Sequence, residues 1–344
     1  MKVLVTGATS MIGAALVGSL LARGDELTVL QRRPSGLPCR ELLGDVTDAR
    51  AVADAVAGQD AVVHLAAKVD VVGPARDFVR VNVGGTRTVV EAATRSLSVD
   101  RLVHVSTPSV AHAGSALVGA GAGTADPRRA RGHYARTKAV AERIALAADD
   151  DDLAVLVIRP HLVWGPGDTQ LVGRIIERAR AGRLALVGSG AALIDSTYVD
   201  NAVAALVRAL DCAPVAHGEA LVVSNGEPRT VAELLARICA AAGVPGPRRH
   251  VPRSLAWTAG ALAEVVWSVF RVDGDPPMTR FLATQLSTAH WFDQRRTREV
   301  LGWEPAISLD QGLRRLAEAT AGGEGPRLSS RQTISNRWSD ASPP

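Results

Sequence analysis

Lysine is nearly missing from this 344-residue chain: of 39 basic residues only Lys2, Lys68 and Lys138 are lysine, and the rest are arginine. Tyrosine is scarcer still, at two (Tyr134 and Tyr198), and cysteine stops at three. Cys39, Cys212 and Cys239 are far apart, odd in number and without a CxxC spacing. That excludes a disulfide framework and a thiolate metal site and fits a reducing cytoplasm. Long blocks of one charge are lacking too. The formal net charge is only +4 and the basic residues are scattered among acidic ones, away from aromatics, so nucleic-acid binding is not expected. No apolar run is long enough to span a membrane; the nearest, from Leu255 to Phe270, is interrupted by Glu264. An apolar strand begins at residue 2 without a charged leader, so no secretory signal is expected.

What the chain does have is apolar bulk, 47% of its residues, enough for one large or two modest domains. The first 33 residues organise the rest. Lys2-Val3-Leu4-Val5-Thr6 reads as a buried strand running into Gly7-Ala8-Thr9-Ser10-Met11-Ile12-Gly13, then a helix ending near Arg23-Gly24. A second strand, Glu26 to Leu30, stops at Gln31-Arg32-Arg33-Pro34. Strand, glycine turn and helix start form the dinucleotide-binding context, in which backbone N–H groups and the helix dipole receive a pyrophosphate. Gly7, Thr9, Ser10, Met11, Ile12 and Gly13 are the candidate contacts, with Ser10 standing where the middle glycine usually is. An acidic residue at the end of the second strand would favour NAD, whereas Arg32 and Arg33 favour the 2′-phosphate of NADP. NADP(H) is therefore expected ahead of NAD(H).

Downstream, Asp45 follows a short strand as a candidate acceptor for the adenine amino group, and Asp48 reads as a helix cap. The strand Asp60 to Leu65 ends in Ala66-Ala67-Lys68, small residues that let a ribose approach the backbone. Asn82 sits on the next helix, and Arg101 to Ser106 is another strand. This alternation predicts an α/β fold: a Rossmann-type, doubly wound parallel sheet. Ser106-Thr107-Pro108-Ser109 ends that strand with hydroxyls at the ligand edge. After a glycine-rich loop, Tyr134 and Lys138 stand four apart on one helix face. A chain that uses arginine almost everywhere but lysine here points to a need for a compact ammonium. Beside a phenol it would favour the phenolate and bring the pKa toward neutrality. With a hydroxyl at Thr107 to bind a carbonyl and Tyr134 to exchange its proton, the set reads as carbonyl reduction or alcohol oxidation.

With the glycine turn, Thr107, Tyr134 and Lys138, the chain resembles the extended short-chain dehydrogenase/reductases over roughly residues 1 to 320. That resemblance implies Tyr134 as acid/base, Lys138 as its activator and nicotinamide-ribose ligand, and Thr107 in the usual serine role, with Ser106 and Ser109 as alternatives. It also implies Asn82 as holder of a proton-relay water. Val46, Leu65, Ser106, Pro160, Leu162 and Val163 complete the implied cofactor contacts. Ser106 to Val110, Trp164 to Leu171, Asp195 to Asn201, Pro276 to Phe281 and His290-Trp291-Phe292 resemble the 3β-hydroxysteroid dehydrogenase-like branch. Within it they are most similar to bacterial reductases of 2-alkyl-3-oxo acids in long-chain olefin biosynthesis. The implied reaction is NADPH-dependent reduction of a long, branched β-keto acid, by a cytoplasmic homodimer working beside a thiolase, a β-lactone synthetase and a β-lactone decarboxylase. A 3β-hydroxysteroid or sterol dehydrogenase is the second reading, and an NADP-sensing binding protein the non-enzymatic one.

The implied division is a nucleotide domain of residues 1–165 with 196–224, and a smaller, mostly helical substrate domain of 166–195 with 225–320. From Leu171 to Ala181 an amphipathic helix carries Arg174, Arg178 and Arg180, and Arg183 follows it; a carboxylate could meet one of these, although solvation is the simpler role for most. Leu255 to Phe270 reads first as a buried helix; the alternatives are a wall for alkyl chains or a surface resting on a membrane. Residues 321–344, rich in Gly, Ser, Pro and Arg, are expected to be a disordered tail.

Overall fold

The computed structural model describes residues 1–70, 73–111, 114–270 and 276–322, so the expected tail beyond residue 322 lies outside the described residues. Seven strands form the central sheet: β1 (Lys2–Thr6), β2 (Glu26–Gln31), β3 (Arg40–Leu43), β4 (Ala61–His64), β5 (Arg101–Val105), β6 (Ala154–Pro160) and β7 (Glu219–Val223). Their order is β7-β6-β5-β4-β1-β2-β3, and every pairing is parallel. The chain leaves β1 toward β2 on one side and returns to β4 on the other. This reversal opens a crevice above the carboxyl ends of the strands, where α/β folds bind ligands.

Parallel strands covered on both faces need apolar residues in both phases of the pleat. Val3, Val5, Val63, Val103 and Leu156 pack on one face with Leu16, Val17 and Leu20 of the helix Met11–Ala22 and with the helix Val199–Cys212. Leu4, Val62, Leu102 and Val155 pack on the other with the helices Ala49–Val56 and Thr86–Arg95. The doubly wound parallel sheet predicted from the sequence is the fold observed.

Four short strands make a second sheet, in the order Arg229–Thr230, Leu193–Ile194, His290–Phe292 and Leu117–Ala120. The last of these comes from the stretch read as a glycine-rich loop. It pairs with His290–Phe292 across a register shift at Trp291/Phe292. Thr230 caps the following helix by accepting from the Glu233 amide at 3.1 Å.

The helix Arg253–Phe270 departs from the first expectation for it, burial. Ala256 and Gly260 face inward, and a Cβ on Gly260 would lie 2.6 Å from the Thr279 carbonyl carbon. Leu255, Leu262, Val265 and Phe270 face solvent. Small residues inside allow the close approach and leave the large ones outside. Among the described residues no helix is long and apolar enough to cross a membrane.

Candidate active site

The site begins with the turn after β1. Gly7 adopts φ +77, and a Cβ there would sit 2.7 Å from the Ala66 backbone nitrogen. A Cβ on Gly13 would fall 2.3 Å from the Gly7 carbonyl oxygen. Both positions are therefore restricted to glycine by close approach of backbone to backbone. Ser10 closes the turn as a cap: its hydroxyl accepts from the Gly13 amide at 3.0 Å and donates to the Gly7 carbonyl at 2.9 Å. The first turn of the helix has no acidic residue, and with the Gly13 amide taken by Ser10 it is the amides of Met11 and Ile12 that face an anion. Thr9 and Ser10 are exposed, and Met11 and Ile12 are half-buried.

Neighbouring strands end beside this turn. Leu65, Ala66, Ala67 and Lys68 follow β4, Ser106 follows β5, and Pro160, Leu162 and Val163 end or follow β6, all half-buried except the buried Ser106. Leu162, at φ +43, is the one non-glycine residue with positive φ among those described. Arg32 and Arg33 stand exposed past β2. Asp45 and the buried Val46 follow β3. Both the Thr47 amide, at 2.9 Å, and the Thr47 hydroxyl, at 2.8 Å, donate to Asp45 Oδ1, while Arg80 lies 3.7 Å from Oδ2. The glycine cradle, the open helix amides and the buried Ser106 Oγ, which has no partner among the described residues, fit a dinucleotide along this edge.

Tyr134 and Lys138 lie on the helix Gly132–Leu146, as spaced. The Thr107 hydroxyl lies on the Tyr134 phenol's side of the site and opposes the upward shift of that phenol. Ser109 stands behind it, with Oγ 3.0 Å from Thr107 Oγ1, so of the three candidate hydroxyls Thr107 is the one set against the phenol. The expected effect of Lys138 on that phenol is corrected by the geometry. Lys138 Nζ donates to the Val105 carbonyl at 2.6 Å and lies 3.4 Å from His104 Nε2. Burial, opposed only by Thr107, pushes the Tyr134 phenol up to about 12. Burial likewise brings the Lys138 ammonium down to about 8, against the pull of the Glu142 carboxylate.

Asn82 is buried in a π-helical turn, Val79–Gly85. Its Oδ1 accepts from the Lys68 amide at 2.7 Å, and its Nδ2 donates to the Lys68 carbonyl at 3.1 Å and to Thr137 Oγ1 at 3.0 Å. It therefore clamps the exit of β4 to the tyrosine helix, and only the second lone pair of Oδ1 remains for a water.

Sequence reasoning missed the polar layer beneath Lys138. His64 and His104 occupy paired positions on β4 and β5, with ring centroids 5.4 Å apart. His64 lies 2.7 Å from Thr6 Oγ1 and 3.0 Å from Thr86 Oγ1. Burial first and the Lys138 charge second keep both imidazoles neutral, His64 down at about 3. Below them, Arg159 and Glu142 form a fully buried bidentate ion pair, and Arg159 also donates to the carbonyls of Ala122 and Gly123. The signal was the histidine at the same offset in two adjacent strands. Of the arginines for which solvation was the simpler role, Arg178 donates to the Pro277 carbonyl at 2.9 Å.

Comparison with known proteins follows the same lines. The family described as "NAD dependent epimerase/dehydratase family" matches residues 3–224. A 2-alkyl-3-oxoalkanoate reductase of Stenotrophomonas maltophilia is 42% identical over 93% of this chain and 100% of its own. A 3-beta-hydroxysteroid dehydrogenase of Mycolicibacterium neoaurum is 32% identical over 91% and 88%. Among solved structures, a short-chain dehydrogenase/reductase superfamily protein of Agrobacterium tumefaciens with bound NAD shares the fold at TM-score 0.73 and 24% identity, covering 94% of this chain and 98% of its own.

Proposed function

Because this chain belongs to the NAD dependent epimerase/dehydratase family of extended short-chain dehydrogenase/reductases, we propose that it reduces 2-alkyl-3-oxoalkanoic acids. The reaction converts the 3-keto group of a long-chain acid to the 3-hydroxy group with NADPH, as a step of long-chain olefin biosynthesis. The observation that carries this reading is the 42% identity, spanning the whole of a relative, to a 2-alkyl-3-oxoalkanoate reductase. The preference for NADPH rests on Arg32 and Arg33, exposed beyond the neutral Gln31 and without an ion pair among the described residues. In this reading the protein is a cytoplasmic homodimer beside a thiolase, a β-lactone synthetase and a β-lactone decarboxylase.

When bound, NADPH supplies the hydride to the carbonyl carbon. The chain supplies the proton and the geometry. Burial keeps the Tyr134 phenol protonated at neutral pH, hence loaded to protonate the carbonyl oxygen as it becomes an alkoxide. The Thr107 hydroxyl, which opposes the upward shift of that phenol, steadies the phenolate left behind. Lys138, on the same helix face, is the residue to hold the nicotinamide ribose. Gly7, Ser10 and Gly13 shape the turn for the pyrophosphate.

The 32% identity to a 3-beta-hydroxysteroid dehydrogenase supports a second reading, oxidation of a 3β-hydroxysteroid. Mixing the protein with NADPH and a racemic 2-alkyl-3-oxo acid, and separately with NADP and a 3β-hydroxysteroid, decides between them by the change in reduced-nicotinamide absorbance. Turnover of the steroid alone would overturn the keto-acid reading. Silence in both mixtures, with tight NADPH binding, would leave the sensor. Tyr134→Phe should lower kcat by about a thousandfold or more while NADPH affinity stays within about twofold; an active phenylalanine variant would remove Tyr134 from the acid role.

A further inference from the structure

A helix on a protein surface normally buries its large apolar side chains and shows polar ones to water. The helix Arg253–Phe270 does the reverse. Leu255, Leu262, Val265 and Phe270 are each at least 57% exposed. At the helical repeat they fall within an arc of about 140°. Single exposed leucines are ordinary, but a contiguous stripe marks an interaction surface. The helix is anchored from behind, by Ala256 against Val187 and Ala283 and by Gly260 against the Thr279 backbone.

Charge around the stripe defines what it meets. Arg248, Arg249 and Arg253 are exposed where the strand Arg249–Val251 enters the helix. The first turn holds no acidic residue, and none of these arginines has a carboxylate partner among the described residues. Cations at a helix N-terminus oppose the macrodipole, so this cluster does nothing for the helix itself. It concentrates positive potential toward an external anion beside an apolar face. The helix's own carboxylate, Glu264, is neutralised by Arg280 at 2.7 Å on the less exposed side.

We propose that this helix lies in the surface of an anionic phospholipid membrane, its leucine, valine and phenylalanine face in the acyl boundary and Arg248, Arg249 and Arg253 among the headgroup phosphates. The amphipathic geometry and the arginines are the two signals that reversible surface binding requires. The helix lies on the bilayer rather than crossing it, since no described helix is long and apolar enough to span. Membrane contact through this face does not depend on the substrate proposed above.

Flotation of the full-length protein with phosphatidylcholine vesicles, with and without phosphatidylglycerol, tests the assignment. The protein should rise with the anionic vesicles, less with neutral ones, and less again at high salt. A Leu262→Ser/Val265→Ser double variant should lose about tenfold in partitioning, because apolar area no longer leaves water on binding. An Arg248→Gln/Arg249→Gln/Arg253→Gln triple variant should lose several-fold, about as expected for losing headgroup attraction. Melting curves should match those of the unaltered protein, because these side chains are exposed. Failure to float with anionic vesicles, or undiminished flotation of the serine variant, overturns the proposal. So does dissociation of a dimer by the serine variant without change in flotation, which would make this face a self-interface. Loss of turnover on long but not short keto acids in the absence of membrane would make it an alkyl-chain wall instead.

Discussion

Replacing Lys138 by methionine should change how stability depends on pH in a way that isolates the buried charge. The ammonium is 3% exposed and titrates at about 8 rather than its ordinary 10.5. Below pH 8 both folded and unfolded chains carry the proton, and the folded state bears the full cost of the buried charge. Between 8 and 10.5 the folded chain releases the proton before the unfolded one does, so stability rises with pH; above 10.5 the penalty is gone. That displacement corresponds to about 3 kcal/mol. Methionine also removes the hydrogen bond to the Val105 carbonyl and the approach to His104, but these losses do not titrate in this window. Tyr134 is common to both proteins, so its own titration cancels to first order. The difference in unfolding free energy, unaltered protein minus Lys138→Met, should therefore grow by about 3 kcal/mol from pH 7 to pH 11. Urea unfolding followed by tryptophan fluorescence at steps across that range measures it. A difference that stays flat would mean that Lys138 is not a desolvated cation, and the account of the layer beneath the tyrosine would fail with it. The same titration should appear in kcat/KM, which falls as pH rises through about 8 if the charged lysine is required.

Further outcomes follow from the cofactor edge and the buried layer. Arg32→Ser/Arg33→Ser should weaken NADPH by about tenfold or more and leave NADH within about twofold, measured by calorimetry; equal loss for both would remove the 2′-phosphate role. Ser10→Ala should cost about 1 kcal/mol of stability and Ser10→Gly only a few tenths, because glycine tolerates the cap position; equal melting temperatures for the two variants would contradict the cap. Glu142→Gln should cost about 3 to 5 kcal/mol by leaving the Arg159 guanidinium in the interior without its counter-charge, a fall in Tm of about 4 to 7 °C. A shift of only a degree or two would show that the carbonyls of Ala122 and Gly123 suffice for that arginine.

The parallel sheet was legible because Val3 to Val5, Ala61 to Val63 and Val155 to Ile158 are apolar in both phases of the pleat, a pattern with few other uses. The turn was legible because Gly7 and Gly13 answer to short-range sterics. Tyr134 and Lys138 could be placed on one face from their spacing, but not in their surroundings. Whether an ammonium meets a phenol or a carbonyl depends on where β5 ends, and Val105 intercepts it. His64 and His104 look unremarkable one strand at a time and become a pair only once β4 and β5 are in register. The helix from Arg253 was misjudged because apolar content predicts burial only when something is there to cover it. In Leu117–Ala120, long-range pairing with His290–Phe292 overrides the glycine-rich local signal.

The widened turn that carries Asn82 has a bearing on how this region tolerates change in length. One surplus residue is accommodated between the helices Ala75–Phe78 and Thr86–Arg95, so each keeps its own angular phase. Trimming a single residue from 79–85 would yield a more regular rod and, by about 100° of rotation, swing the amide off either Lys68 or Thr137. Here the smoother helix is the broken one: length variation should be admitted on either flank and refused inside the bulge.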